Sequence, residues 1–184
     1  MATVSEVSKA AQTRPVLAKP GKFLTFKLDN EIYATNIMKV REIIGVQPAI
    51  RIPKTPSFVR GIINMRDRTI PVVDLRMKFD MEHKEDSKHT CIIVLQVLSD
   101  ERIVTIGAVV DEVSDVLDLT QDELQPAPQF GSALDTHMII GIGHTKDRVI
   151  MILDVDKLLS SEEIFSLKDA TQQTLAQIRS QQQA

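Results

Sequence analysis

From Gly21 onward, apolar residues recur at every second position or in short unbroken runs, and a helical period surfaces only near the C-terminus. Phe23, Thr25 and Lys27 alternate with Leu24, Phe26 and Leu28, which predicts a strand, and Asp29-Asn30 predicts a turn. Ile32–Asn36 and Ile37–Ile44 read as further strands. Pro48, Pro53 and Pro56 make residues 45–56 an extended loop. Val59–Met65 and Thr69–Leu75 form a hairpin around the charged turn Arg66-Asp67-Arg68. The adjacent apolar pairs Ile62-Ile63 and Val72-Val73 predict that both of its faces are covered. Asp74 is placed to cap a short helix through Phe79. Residues 81–89 are a charged connection between two halves. Thr90–Leu98 and Ile103–Val110 are strongly β, with Ser99-Asp100-Glu101 as the turn. Thr120 to Glu123 has capping-box spacing and predicts one helical turn, followed by a proline-containing loop over 125–130. Met138–Gly143 and Arg148–Leu153 predict a second hairpin. Ser160 and Glu163 form another capping box, and Ile164, Leu167, Leu175 and Ile178, with Thr171 between, mark one face of a C-terminal helix.

The two hairpins are copies of each other. GIINMRDRTIPVVDL from Gly61 and GIGHTKDRVIMILDV from Gly141 share six of fifteen residues in place. Val40-Arg-Glu-Ile43 and Val113-Ser-Asp-Val116 share a second spacing, V-x-[ED]-[IV]. An internal repeat of a β unit organises the chain.

Composition narrows the function. With 184 residues and 43% hydrophobic content, one ordinary domain or two small halves sharing a core can form. A net charge of −3 with 4% aromatic residues supplies neither the basic patch nor the stacking platforms of a nucleic-acid-binding barrel. No apolar run approaches the roughly 18 residues of a membrane span, and the N-terminus lacks signal-peptide order. The expected setting is therefore cytoplasmic. Cys91 is the only cysteine, which excludes an internal disulfide and a cysteine-based zinc site, and it reads as a small buried apolar residue.

Candidate chemistry adds little. There is no glycine-rich phosphate loop, no GxSxG and no HExxH. His83, His89, His137 and His144 form no short helical pair with a carboxylate, and no metal or cofactor is expected. Asp74 and Asp154 occupy matched places in the repeat, but each ends a strand and is better explained as a cap than as half of an acid–base pair. Glu42, Arg66 and Arg68 could meet an anionic ligand or simply be solvated.

Several segments together resemble the CheW family of bacterial chemotaxis coupling proteins. They are Val40-Arg-Glu-Ile43, RIPKTPSFVRGIINMRDRTIPVVDLR at 51–76, GAVVDEVSDV at 107–116, LQPAP at 124–128 and IIGIGHTKDRVIMILDVDKLL at 139–159. The resemblance covers about 22–165. It implies a mainly β fold of two SH3-like five-stranded barrels related by a pseudo-twofold and sharing a core, with short helices and a C-terminal helix. It also implies an adaptor without catalysis, which bridges the regulatory domain of the histidine kinase CheA and the cytoplasmic tip of methyl-accepting chemotaxis receptors, recruited to membrane-associated arrays without inserting into the membrane. On matching motif positions, Val40, Glu42, Ile43, Gly61, Arg66, Cys91, Gly107 and Val116 are expected at or near the receptor groove between the barrels, with Glu42 and Arg66 paired. The sequence departs from the family at Asp67, where a glycine is usual in the turn; aspartate adopts positive φ less easily than glycine, and the turn is expected to survive the change. The implied organisation is a disordered arm over 1–20, two intertwined subdomains over about 21–80 and 90–155 within 21–160, and a helix over 161–184 with a frayed end. A CheW-like regulatory domain of a larger chemotaxis protein is the alternative, with an oligonucleotide-binding barrel behind it.

Overall fold

A computed structural model of the protein describes residues 18–127 and 137–183. Eleven strands are seen among them: β1 (Gly21–Leu28), β2 (Glu31–Asn36), β3 (Val40–Gly45), β4 (Val59–Met65), β5 (Arg68–Asp74), β6 (Cys91–Ser99), β7 (Arg102–Val110), β8 (Glu112–Leu119), β9 (Leu124–Gln125), β10 (Ile139–His144) and β11 (Val149–Leu153). Two α-helices accompany them, α1 (Leu75–Lys78) and α2 (Ser161–Gln182).

The strands form two sheets. A middle sheet runs β3-β6-β7-β5-β4, and a terminal sheet runs β8-β1-β2-β11-β10-β9. The first five strands of each list correspond one to one. Both begin with two antiparallel pairings, continue with one parallel pairing (β7 with β5, β2 with β11) and end with the antiparallel hairpin. The match extends to single residues. The register of β4–β5 shifts between Val59 and Gly61, and that of β10–β11 shifts between Ile139 and Gly141, the same places in the repeat. Asp74 N donates to Phe58 O at 2.7 Å, and Asp154 N donates to Met138 O at 2.8 Å. Asp74 then caps α1 by accepting from the N–H groups of Arg76 and Met77, while Asp154 caps a short 3₁₀ turn by accepting from Asp156. The capping role read for both aspartates is the one they hold.

The halves 21–80 and 90–155 are units of sequence but not of packing. The first contributes β1–β5 and the second β6–β11, yet the β1–β2 hairpin joins the terminal sheet and the β6–β7 hairpin joins the middle one. Each sheet therefore draws strands from both repeats. The chain crosses between sheets twice, after β2 and at Asp111 between β7 and β8. The first crossing differs from the expected strand over 37–44. Ile37–Lys39 is a 3₁₀ turn, because the Asn36 side chain accepts the Met38 N–H at 2.9 Å and ends β2. Two other expectations are adjusted. The terminal sheet carries a sixth strand, the two-residue β9. The expected arm over 1–20 lies outside the described residues up to position 17, but Ala18 is buried against Phe23 and Leu119, so ordered packing begins before Gly21.

Three apolar clusters follow from this topology. Ile63, Ile70, Val72, Ile92, Val94 and Val109 fill the interior of the middle sheet. Phe23, Ala34, Leu119, Leu124, Ile150 and Ile152 fill that of the terminal sheet. The alternate residues on the same strands, including Leu24, Phe26, Val73, Ile93, Leu95, Ala108 and Leu153, meet in one shared cluster between the sheets. This is why the strand sequences are apolar on both faces. The shared cluster also takes Ile164 and Leu167 from α2, whose start is fixed by a capping box: Ser160 Oγ accepts from Glu163 N at 3.1 Å and Glu163 accepts from Ser160 N at 3.0 Å. Thr171 and Thr174 are also buried on this face, and the helix continues through its glutamine-rich end to Gln182.

Candidate partner-binding surface

One rung of the middle sheet joins three of the eight candidate residues. Glu42 on β3 faces Val94 on β6, Val94 faces Gly107 on β7, Gly107 faces Val72 on β5, and Val72 faces Gly61 on β4. The two glycines are buried, and packing explains both. A Cβ at Gly107 would stand 2.8 Å from Ile92 Cγ2 in the sheet interior. Gly61 has φ +138, and a Cβ there would fall on the carbonyl oxygen of Ile50, whose N–H and C=O each exchange a 2.8 Å hydrogen bond with Ile62. Neither glycine presents a side chain to a partner. Their smallness holds β4 and β7 in place beneath the surface.

The apolar candidates divide by depth. Val40 and Cys91 are half-buried against the shared cluster, and the Cys91 thiol donates to His89 O at 3.1 Å. Cys91 thus behaves as a small partly buried residue. Ile43 and Val116 are 43% and 50% exposed. Ile43 pairs with Ile93 and Val116 pairs with Leu24, and both partners belong to the shared cluster. Directly opposed residues of neighbouring strands share a face. Ile43 and Val116 therefore lie at the outer ends of the two sheet faces that meet in the shared core, one on each edge strand. The repeat places them at equivalent positions, since Val40-Arg-Glu-Ile43 is on β3 and Val113-Ser-Asp-Val116 is on β8. The structure sets them at corresponding places on the edge strands of the two sheets.

Glu42 and Arg66 are paired. Arg66 Nη2 lies 3.6 Å from Glu42 Oε1, and the side chains are 83% and 31% exposed. Arg66 is brought there by the two-residue turn between Met65 and Arg68, which close β4 and β5. The turn keeps its tight form, and its left-handed residue is Arg66, at φ +54. A first central residue at positive φ is the tight-turn geometry that matches the twist of the flanking strands.

The surface rests on buried charge that the sequence pattern did not single out. Arg60 bridges Asp74 (Nη2–Oδ2 2.9 Å) and Asp86 (Nη1–Oδ2 2.8 Å), pinning the charged connection onto β4. The hydrogen bond that Arg60 donates to Asp86, opposed by burial and helped by Asp74, raises the Arg60 pKa. Arg76, buried on α1, donates to Asp111 at 2.7 Å, to Glu82 O at 2.9 Å and to Asp29 at 3.4 Å. It ties the β1–β2 turn and the second crossing to the middle sheet. The only signal in the sequence for these arginines was their position flanking a hairpin, which does not reveal partners far along the chain. Among the described residues, no group of three or more His, Cys, Asp or Glu is placed to hold a metal ion, and no helix is long and apolar enough to cross a membrane.

Comparison with known proteins matches this chain to a known family. The model of the CheW-like domain matches residues 22–163. The chain is 43% identical over 143 residues to the chemotaxis protein CheW of Klebsiella aerogenes, covering 78% of this chain and 84% of that one. It is 34% identical over 142 residues to the chemotaxis protein CheW of Rhizobium meliloti, covering 77% and 89% respectively. The crystal structure of a scaffolding protein CheW from Thermoanaerobacter tengcongensis superposes with a TM-score of 0.69 at 32% identity, covering 78% of this chain and 97% of that one.

Proposed function

The chain belongs to the CheW-like domain family, and on that premise we propose that it couples methyl-accepting chemotaxis receptors to the histidine kinase CheA without catalysing a reaction itself. The observation that carries this reading is the pair of exposed apolar residues, Ile43 and Val116, at equivalent edges of the two faces that close on the shared core. An apolar rim of this kind suits the side of an amphipathic helix, which is the form of a receptor tip. In the reading, Ile43 and Val116 touch the receptor helix, and Val40 and Cys91 support them from below. Glu42 and Arg66 hold the turn beside the rim, and Gly61 and Gly107 keep the backbone close-packed under it. The kinase regulatory domain docks barrel end to barrel end, covering an exposed sheet edge. The protein works in the cytoplasm, recruited to receptor arrays.

The test is co-sedimentation with receptor signalling domains arrayed on vesicles, with and without the kinase. The chain is expected to sediment with receptors and to bring additional kinase down. Failure to bind either partner overturns the reading. In the same assay, Glu42→Arg and Arg66→Glu are each expected to weaken receptor binding, and the double exchange is expected to recover part of it. Strictly additive losses would mean that the two side chains do not act as a pair.

A further inference from the structure

The Glu42–Arg66 pair has a counterpart on the terminal sheet. In the repeat, Asp115 corresponds to Glu42, and Arg148 flanks the β10–β11 turn as Arg68 flanks the β4–β5 turn. Arg148 Nη1 lies 3.3 Å from Asp115 Oδ1 and Arg148 Nη2 lies 3.2 Å from Asp115 Oδ2, a two-pronged contact. Asp115 is held from behind as well. Thr25 Oγ1 accepts the Asp115 N–H at 3.1 Å and hydrogen-bonds the Asp115 carboxylate, and Thr25 is fully buried on β1. The contact sits where the β1–β8 register shifts, between Leu24 and Phe26, so the threonine and the arginine together fix an irregular stretch of edge strand. Val116 is the next residue.

We propose that Asp115, Arg148 and Thr25 are positioning residues of the partner-binding groove, setting the edge of the terminal sheet so that Val116 is presented at its rim. This rests on the receptor-coupling reading above. Of the two pairs, the Asp115–Arg148 contact is the better made: it is two-pronged and anchored to a buried hydroxyl, whereas Glu42–Arg66 is a single contact with a mostly exposed arginine. The groove thus has one rim held firmly and one held loosely. The guanidinium of Arg148 and then the Thr25 hydroxyl keep the Asp115 carboxyl below its usual range, so the pair stays ionised throughout the working pH range.

The experiment titrates receptor signalling domains against kinase plus this protein and reads kinase autophosphorylation. Arg148→Ala and Asp115→Asn are expected to raise the receptor concentration for half-maximal stimulation roughly three- to tenfold, the range of a side-chain coupling energy. Affinity for the isolated kinase regulatory domain and the stimulated maximum should be unchanged. Arg148→Lys, which keeps the charge but loses the two-pronged contact, should recover part of the shift. Amide hydrogen exchange at Ser114 and Val116 should speed up in Arg148→Ala while the exchange of β6 and β7 stays slow, which separates a loosened edge from a failure to fold. If the wild type stimulates the kinase and both variants match its titration curve, the positioning role is overturned. If the variants lower affinity for the kinase regulatory domain equally, the role is overturned in favour of a kinase contact. A wild type that stimulates nothing overturns the coupling reading instead.

Discussion

Arg66 combines a local backbone cost with an ion pair across the sheet. It occupies the left-handed region at φ +54, where a side chain is disfavoured relative to glycine. In return its guanidinium reaches Glu42 on the far edge of the same sheet. An exposed pair of this kind contributes only about 0–1 kcal/mol to stability. Gly61 is the opposite case, a residue whose entire role is to have no side chain. Gly61→Ala would force a methyl group into the Ile50 carbonyl at a φ that alanine rarely adopts. We expect this substitution to cost about 2–5 kcal/mol, since a clash with backbone and a strained φ add together. Thermal unfolding followed by circular dichroism checks it, with a fall in Tm of roughly 5–20 °C. An unchanged Tm would mean that the 50–51 backbone moves aside without cost.

Among the elements, the two crossings between sheets are where the fold is most exposed to perturbation. The second is fastened by Arg76, whose buried guanidinium joins α1 to Asp111 and to the β1–β2 turn. Burial alone would raise the Asp111 pKa. The hydrogen bonds from Arg76 and from the Asp29 N–H, with the charges of Arg76 and Lys84, outweigh burial and leave it lowered. A carboxylate with a depressed folded pKa contributes stability that is present above its unfolded value, about 3.9, and is lost as pH falls through the lower folded value. Asp86 and Asp115 are shifted in the same direction, by Arg60 and Arg148. The protein should therefore lose stability progressively below about pH 4. Asp111→Asn should be less stable at neutral pH by about 3 kcal/mol, because it leaves Arg76 buried without its main counter-charge. It should also show a shallower acid limb in urea midpoints measured from pH 7 to pH 3. An acid limb as steep as that of the wild type would place the loss of stability in other carboxylates.

The same elements mark the limits of reading the sequence. The hairpins, their turns and their aspartate caps were legible because each is written in adjacent residues, and the repeat was legible because both copies keep one register. The resemblance implied that the halves intertwine, but which strands are exchanged between the sheets was not legible, since pairing between distant strands leaves no local pattern. The 3₁₀ turn at Ile37–Lys39 hid inside an apolar β-branched stretch that reads as strand until the Asn36 side chain is seen to cap it. Among the candidate surface residues, motif position identified Glu42, Arg66, Ile43 and Val116 and placed Gly61 and Gly107 beside them, although packing and not contact accounts for the glycines. Thr25 and Arg148 lay inside stretches already read as strand, and only the three-dimensional contact with Asp115 brings them forward.

The molecule as a whole is two copies of one β unit wound through each other, with a shared core where their inner faces meet and an apolar rim where those faces reach solvent. Because β1–β2 and β6–β7 are exchanged, each sheet is completed by strands from both repeats. The most direct test is the rate of kinase autophosphorylation in a mixture of receptor signalling domain, CheA-type kinase and this protein, compared with each two-component mixture. The account predicts a rate in the three-component mixture well above both pairs, with no turnover by this protein alone. A three-component rate no higher than that of receptor and kinase together would contradict it.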